Sequence, residues 1–330
     1  MMKKKQNFLI RSKMLSTNKK YKILITSPWF TQKYLEELEK HFTVVRNNML
    51  RWFNEDELIE IISEYDAIIA GLDPFNKRVL EKAKNLKIIA RRGIGFDTVD
   101  INYCKEHGII VTNTPVQEEH KAVAEFTVGL IFDLIRNITR SVISLKEGSW
   151  ERAKFLGRSL NNLTIGIIGL GNIGSTVASM LQSLGAKIIY YDPYVSDNKF
   201  LKVDLKDLFK LSDVVTIHAP LTNETLKLIN NEIISLMKPD SYIVNVSRGE
   251  ILDTESIVKA IKDKRLAAVA MDVFDQEPPE NKDLLLNDKI ICTPHIAAFS
   301  KEAFDKIDRI CTKNVINVLI EHKEPDFKVS

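Results

Sequence analysis

The chain has 330 residues, 45% hydrophobic and 28% charged, which is too long for one ordinary domain and enough for two packed cores. Its longest apolar runs stay well short of the ~18 residues a transmembrane helix needs, so no membrane partner is expected. The formal charge of +3 is uneven: residues 1–20 carry seven Lys/Arg and no acid, leaving 40 basic against 44 acidic side chains beyond them, and so slightly acidic a body excludes a nucleic-acid surface.

In chain order, "MMKKKQNFLIRSKMLSTNKK" is basic, but its apolar stretch Phe8–Ile10 is far too short for a signal peptide. Residues 1–20 read as a disordered tail, or as sequence upstream of a true start at Met14. "YKILITS" then reads as a strand. "TQKYLEELEKHF" is helical, with Tyr34, Leu35, Leu38 and Phe42 on one face. "TVV" is a strand, and "NEDELIEIISEY" is a helix capped by Asn54 with acids in its first turn. "DAIIAG" is a strand ending in Gly71, after which Asp73-Pro74 opens the next helix. "LKIIA" and "GIIVTN" complete the set. Near-continuous apolar strands alternating with helices mean a parallel sheet covered on both faces, an α/β domain over roughly 21–112.

A mostly helical stretch, "EEHKAVAEFTVGLIFDLIRNITRSVISLKEGSW", follows. It is apolar around much of its circumference, so 121–147 is expected to be buried against a domain or a partner chain. A second alternation begins at "NLTIGIIGLGNIG" and continues through "AKIIYYD", "DVVTIHAP", "SYIVNVS", "LAAVAMDVF" and "KIICTP". Six strands is the count of a dinucleotide-binding domain. The final helix, about 300–321, comes after that sheet is complete and is expected to pack on the first domain. Cys104, Cys292 and Cys311 are odd in number and lack metal-site spacing, which fits a reducing cytoplasm with no disulfide framework and no metal.

Gly169-Leu170-Gly171-Asn172-Ile173-Gly174 is a G-x-G-x-x-G turn between an apolar strand and a helix, the context that makes it a pyrophosphate cradle. Gly169 permits the tight turn, Gly171 the approach of the phosphates, and Gly174 close helix–strand packing. Asp192 ends the next strand, placed to accept hydrogen bonds from ribose hydroxyls and to repel a 2′-phosphate, so the cofactor is NAD rather than NADP. Arg248 follows the strand Tyr242–Val246, where an arginine can clamp a carboxylate with two parallel bonds. Asp272 and Glu277, in "MDVFDQEPP", and His295, in "TPHIAAFS", also follow strands. A lone loop histidine is more often structural. One arginine, two acids and a histidine at the carboxyl ends of consecutive strands in a nucleotide-binding sheet make a catalytic reading of His295 the better one. His218, Pro220, Val246 and Ser247, at strand ends of the same sheet, are read as lining the cofactor cleft.

With "ARRGIGFDTVD", "GIIGLGNIG", "YYDP", "HAPLT", "NVSRG", "MDVFDQEPP" and "TPHIAAFS" in this order, the chain resembles the D-isomer-specific 2-hydroxyacid dehydrogenases over essentially all of 21–321. Within that family it is most similar to the phosphoglycerate dehydrogenase group in its short form without a regulatory domain. The resemblance implies two Rossmann-like/flavodoxin-like parallel-sheet domains with a cleft between them. The substrate domain would comprise 21–112 plus 300–330, the NAD-binding domain 113–299, and two chains would pair as a homodimer. It implies that Arg248 holds the substrate carboxylate and carbonyl, that Glu277 partners the histidine, and that His295 moves the proton. Arg92 and the backbone N–H groups of Ile94 and Gly95 would take the substrate, and Asp272 would meet the nicotinamide amide. The chain departs from the family pattern twice. "TPVQEEHKAVAE" is one residue longer and lacks the usual Asn, and "AGLDPFNK" lacks the basic residue that phosphoglycerate dehydrogenases carry there. The activity implied is hydride transfer between nicotinamide and C2 of a small 2-oxo/2-hydroxy acid. Two alternatives stand beside it: a true 3-phosphoglycerate dehydrogenase, and a nucleotide-sensing, non-enzymatic interaction protein on the same fold.

Overall fold

The computed structural model describes residues 21–330 and, ahead of them, the strand Leu9–Arg11 (β1). Two compact units divide the chain: residues up to Glu119 together with Ser300–Ser330, and His120–Phe299. The division falls inside the helix Gln117–Arg136 rather than at 112/113.

In the first unit, β2 (Lys22–Ile25), β3 (Thr43–Asn47), β4 (Ala67–Ala70), β5 (Ile88–Arg91) and β6 (Ile110–Thr112) form a parallel sheet in the order β3-β2-β4-β5-β6. This is the doubly wound, flavodoxin-like order. β1 adds an antiparallel edge, pairing Leu9 with Asn47 and Arg11 with Val45. An open strand edge offers unpaired N–H and C=O groups to any chain that reaches it, so at these three positions the expectation of a disordered tail is corrected. The rest of residues 1–20 lies outside the described residues. All four residues of β4 and of β5 are buried, because helices cover both faces of the sheet. Leu24, Val45, Ile68, Ile89 and Val111 share one core with Leu58 and Ile62, and each such burial stabilises the fold by ~1.5–3 kcal/mol. The helix Glu55–Ile61 starts with a full capping box, in which Asn54 accepts from Glu57 N and Glu57 accepts from Asn54 N, both at 2.9 Å. Asp73-Pro74 does not open a helix. The helix Lys77–Leu80 is capped by Asn76, because the Asp73 carboxylate is already buried against Thr26 and Phe53 N. The helix Lys301–Ile316 joins this unit, where Asp308 accepts from Thr31 N at 2.9 Å and from Thr31 Oγ1 at 2.6 Å.

The second unit contains β7 (Thr164–Ile168), β8 (Lys187–Tyr191), β9 (Leu201–Lys202), β10 (Val214–Ile217), β11 (Ser241–Asn245), β12 (Leu266–Met271) and β13 (Ile290–Cys292). The order is β13-β12-β11-β10-β7-β8-β9, parallel throughout. This is the Rossmann arrangement, with β9 a two-residue edge strand that the sequence pattern does not reveal. Successive residues face opposite cores: Val214 and Val244 join one cluster, Val215 and Ile243 the other. The long helical stretch is two helices, Gln117–Arg136 and Ile138–Lys146, broken at Asn137 with φ 55°. The first buries Ala124, Leu130, Ile131, Leu134 and Ile135 in the core of its own unit, with Phe126, Val128 and Phe132 partly buried. The apolar exposure lies further on, at Ile138, Val142, Ile143, Leu145, Trp150 and Leu156. No described helix is long and apolar enough to cross a membrane.

Candidate active site

The glycine turn follows β7. Gly169 has φ +87°, a region that disfavours any side chain, and a Cβ there would come within 2.8 Å of the His218 carbonyl oxygen. A Cβ on Gly174 would lie 2.0 Å from the Gly169 carbonyl oxygen, whereas one on Gly171 would meet nothing within 4 Å. The helix Asn172–Ser183 begins without a side-chain cap. Its first N–H groups and the clear space at Gly171 therefore fit a pyrophosphate, with Asn172 and Ile173 on the first turn.

Asp192, at the end of β8, is buried and does more than mark a ribose site. One carboxylate oxygen accepts from Leu170 N at 2.8 Å, and the other from Tyr194 N at 2.8 Å and Val195 N at 2.9 Å. Burial alone would raise its pKa, but the three N–H donors outweigh that and hold the carboxyl below its ordinary value. The charge thus stays on the glycine turn, and the oxygen with a single donor keeps acceptor capacity for a hydroxyl. At the end of β10, His218 bonds the Thr216 hydroxyl through Nε2 at 3.0 Å, and burial pulls its pKa down to about 3, so the ring is neutral. Pro220 beyond it is exposed.

Arg248 follows β11. The side chain of Asn245, itself fully buried, donates to the Arg248 carbonyl at 2.8 Å and accepts from Ser247 N at 3.1 Å, bending the chain at Val246-Ser247. The Ser247 hydroxyl donates to the Ala219 carbonyl. The Arg248 guanidinium donates to the Ser247 carbonyl at 2.8 Å. A Cβ on Gly249 would lie 1.9 Å from the carbonyl carbon of Phe274. The backbone after β11 therefore touches the backbone after β12, and only glycine allows the approach.

Asp272, at the end of β12, is fully buried. It accepts from the Thr293 hydroxyl at 2.6 Å, from Ile296 N at 2.9 Å and from Ala297 N at 2.8 Å. Burial pushes its pKa up, with those donors acting the other way. Both oxygens serve the loop that carries His295, so the structure shows Asp272 as the anchor of the histidine loop. His295 itself has φ 52°, a left-handed conformation that costs a non-glycine residue free energy and persists where the surroundings enforce it. Its Nδ1 lies 2.8 Å from Glu277 Oε2, and Glu277 Oε1 accepts from Phe274 N at 3.1 Å. With Nδ1 held by the carboxylate, Nε2 is the ring nitrogen left to exchange a proton. Asn245 and Thr293 are the functional supports that sequence reasoning missed. Each lies inside a motif, but nothing in its spacing announces a positioning role.

In the first unit, Arg92 follows β5 and is buried. Its Nε pairs with Asp308, Nη1 donates to the Ser27 hydroxyl at 3.1 Å, and the guanidinium lies 4.4 Å over the Phe304 ring. Only Nη2 has no hydrogen-bond partner, so most of the guanidinium is committed to structure. Ile94 N–H makes a long contact, 3.4 Å, with Glu119 Oε1, at the edge of hydrogen-bonding distance. Gly95 follows in the same turn.

The second unit's Rossmann sheet places an imidazole–carboxylate pair and an arginine at the edge bearing its phosphate turn, which is the layout of a dinucleotide-binding domain with acid–base groups beside the cofactor site. The comparisons agree. Residues 128–297 match the family model "D-isomer specific 2-hydroxyacid dehydrogenase, NAD binding domain". The hydroxypyruvate reductase of Thermotoga maritima is 42% identical over 76% of this chain and 83% of its own length. The D-3-phosphoglycerate dehydrogenase of Methanocaldococcus jannaschii is 38% identical over 90% of this chain, which spans only 57% of that relative. Among solved structures, the D-lactate dehydrogenase of Aquifex aeolicus, complexed with NAD and lactic acid, superposes with a TM-score of 0.80 at 28% identity, covering 92% of this chain and 98% of that one. The chain belongs to the D-isomer specific 2-hydroxyacid dehydrogenase family, and its second unit is the family's NAD-binding domain.

Proposed function

We propose that the protein reduces small 2-oxo acids with NADH, and oxidises the corresponding D-2-hydroxy acids with NAD. The observation that carries this reading is the Glu277–His295 pair, anchored by Asp272 on the sheet edge that holds the glycine turn. Bound nicotinamide supplies or accepts the hydride. Arg248 clamps the substrate carboxylate and polarises the carbonyl. His295 Nε2 gives its proton to the carbonyl oxygen during reduction, and the Glu277 carboxylate holds and orients the imidazole through Nδ1. Asp192 selects NAD, while His218, Pro220, Val246 and Ser247 border the cofactor. Arg92, Ile94 and Gly95 contribute from the first unit, and Asp272, besides anchoring the histidine loop, would offer the nicotinamide amide the acceptor capacity left on Oδ2, which takes only Ala297 N. The test is NADH oxidation with a panel of 2-oxo acids including glyoxylate, hydroxypyruvate and 3-phosphohydroxypyruvate. Absence of turnover with every member defeats the reading.

The same proposal includes a homodimer, through the exposed apolar residues Ile138, Val142, Ile143, Leu145, Trp150 and Leu156. A monomer by sedimentation at micromolar concentration would refute it. Three free thiols support a reducing, cytoplasmic setting.

A further inference from the structure

The carboxyl edge of the first unit's sheet carries a feature that the proposed chemistry does not use. β3, β2, β4 and β5 are neighbours in that order. The loop after β3 crosses the end of β2 and lays the indole of Trp52 on Gly71, directly after β4. A Cβ at position 71 would lie 2.1 Å from Trp52 Cζ3 and 2.5 Å from Cε3, so the indole fills the space where any side chain at 71 would stand. Trp29, from the loop after β2, completes the surface, with ring centroids 5.4 Å apart and planes tilted by 60°. Both rings are half-buried.

A buried network holds the loop in place. Asp73 accepts from Phe53 N at 2.8 Å and from the Thr26 hydroxyl, and Thr26 Oγ1 accepts in turn from Gly71 N at 2.9 Å. Asn47 donates to the Thr26 carbonyl at 2.7 Å and to the Arg51 carbonyl at 2.8 Å. Arg51 forks onto Glu57 at 2.7 and 2.9 Å and also donates to the Trp52 carbonyl at 2.9 Å. Thr26, Asn47 and Asp73 are 0%, 2% and 0% exposed. Fixed side chains of this kind are what a selective pocket wall requires.

The next strand over is β5, and Arg92 N donates to the Ala70 carbonyl at 2.9 Å. The shelf therefore ends one strand away from the Gly93–Gly95 turn, at the carboxyl ends where α/β sheets bind ligands. The face of an indole carries negative charge density, and position 71 offers no cation. We infer that Trp52, with Trp29, is a specificity-determining wall that receives the substituent on C3 of the 2-oxo acid and selects an uncharged, apolar group over a phosphate. The inference rests on the proposed 2-oxo acid chemistry.

The test is steady-state NADH oxidation by the full chain with glyoxylate, 4-methyl-2-oxopentanoate and 3-phosphohydroxypyruvate. In the native protein, kcat/KM for 4-methyl-2-oxopentanoate should exceed that for each of the other two by at least about tenfold, the scale on which an apolar pocket discriminates one or two methylenes. Trp52→Ala should collapse the ratio of 4-methyl-2-oxopentanoate to glyoxylate to within about twofold of unity, and Trp52→Phe should retain most of it. Gly71→Ala, which forces the indole off its seat, should lower the same ratio. A native enzyme that prefers 3-phosphohydroxypyruvate, or a Trp52→Ala variant that weakens all substrates alike with the ratio unchanged, overturns the inference. Turnover of all three acids without discrimination removes the aromatic wall and leaves the proposed function standing. No turnover of any acid removes both. Should Trp52→Ala fail to fold, the native ratios and Trp52→Phe still decide.

Discussion

The two sheets expose the same kind of edge and use it differently. The second unit builds its edge from motifs: a glycine turn after β7, an acid after β8, an arginine after β11, and the Glu277–His295 pair after β12 and β13. Buried polar side chains there, Asn245 and Asp272, hold neighbouring backbone so that exposed groups can act. The first unit turns charged groups inward. Arg92 and Asp308 pair in the interior, Asp73 ties two loops together, and the aromatic pair Trp29 and Trp52 lies half-buried at the edge. On the proposed function the contrast separates chemistry from recognition: one edge would move protons, and the other would fix a shape.

If that division is right, damage to the two edges should show in different measurements. The largest effect is expected in the second unit. His295→Ala should cut turnover by about 10²–10⁴, the usual share of general acid–base catalysis, while NADH binding measured by fluorescence stays nearly intact. Glu277→Gln should cut it less, because the imidazole keeps a hydrogen bond and loses only the charge beside it. Full activity in His295→Ala would return that residue to the ordinary loop histidines.

Next in size is the first unit's ion pair. Asp308→Ala leaves Arg92 buried without its partner, and breaking such a pair costs about 3–5 kcal/mol. The loss should appear in urea unfolding. A change in the unfolding midpoint of less than 1 kcal/mol equivalent would mean that water reaches Arg92.

A smaller effect is expected in cofactor choice. NAD(H) should be preferred over NADP(H) by at least about tenfold, or ~1.4 kcal/mol, and Asp192→Ala should relax the preference. Equal affinity of the native protein for both cofactors would remove Asp192 from that role. Since Asp192 also anchors Leu170, Tyr194 and Val195, the variant should lose some stability as well.

The smallest effect is a pH response of opposite sign at different buried carboxylates. Asp192 and Asp213 are both depressed in the fold, since their hydrogen-bond donors outweigh burial. Their contribution is present above the unfolded carboxylate value of about 3.9 and is lost as pH falls through the lower folded values. For Asp73 burial wins and the folded pKa is raised, so its contribution is fullest in acid and declines as pH rises through that folded value. Asp213→Asn should flatten the loss of stability below about pH 4 in urea unfolding. An acid limb of the stability profile unchanged in Asp213→Asn would argue against this.

Much of the second unit is legible in one dimension because its chemistry is local. Gly169, Gly171 and Gly174 act through a turn only a few residues long, and β7 and the following helix are their own context. Arg248, Glu277 and His295 are legible as strand-end residues, but their meeting is not. Glu277 and His295 lie on different strand-end loops, and only the parallel pairing of β12 with β13 brings them to 2.8 Å. The first unit is less legible for the same reason carried further. Nothing near Asp73-Pro74 says that Phe53 N and Thr26 will take the carboxylate from a helix start. Nothing near Arg92 says that Asp308, on a helix from the far end of the chain, will claim its guanidinium.

The amino-acid order by itself thus determined the two α/β sheets, the nucleotide turn and the residue types at the strand ends. These depend on hydrophobic period and on short-range backbone geometry, which are properties of neighbouring residues. Only the tertiary structure decided which polar side chains turn inward, that Asp272 serves the histidine loop, that Gly249 lets two loops touch, and that Trp52 covers Gly71. Those depend on which distant segments the sheets place side by side. A buried hydrogen-bonding group takes the partner that arrives, wherever in the chain it comes from.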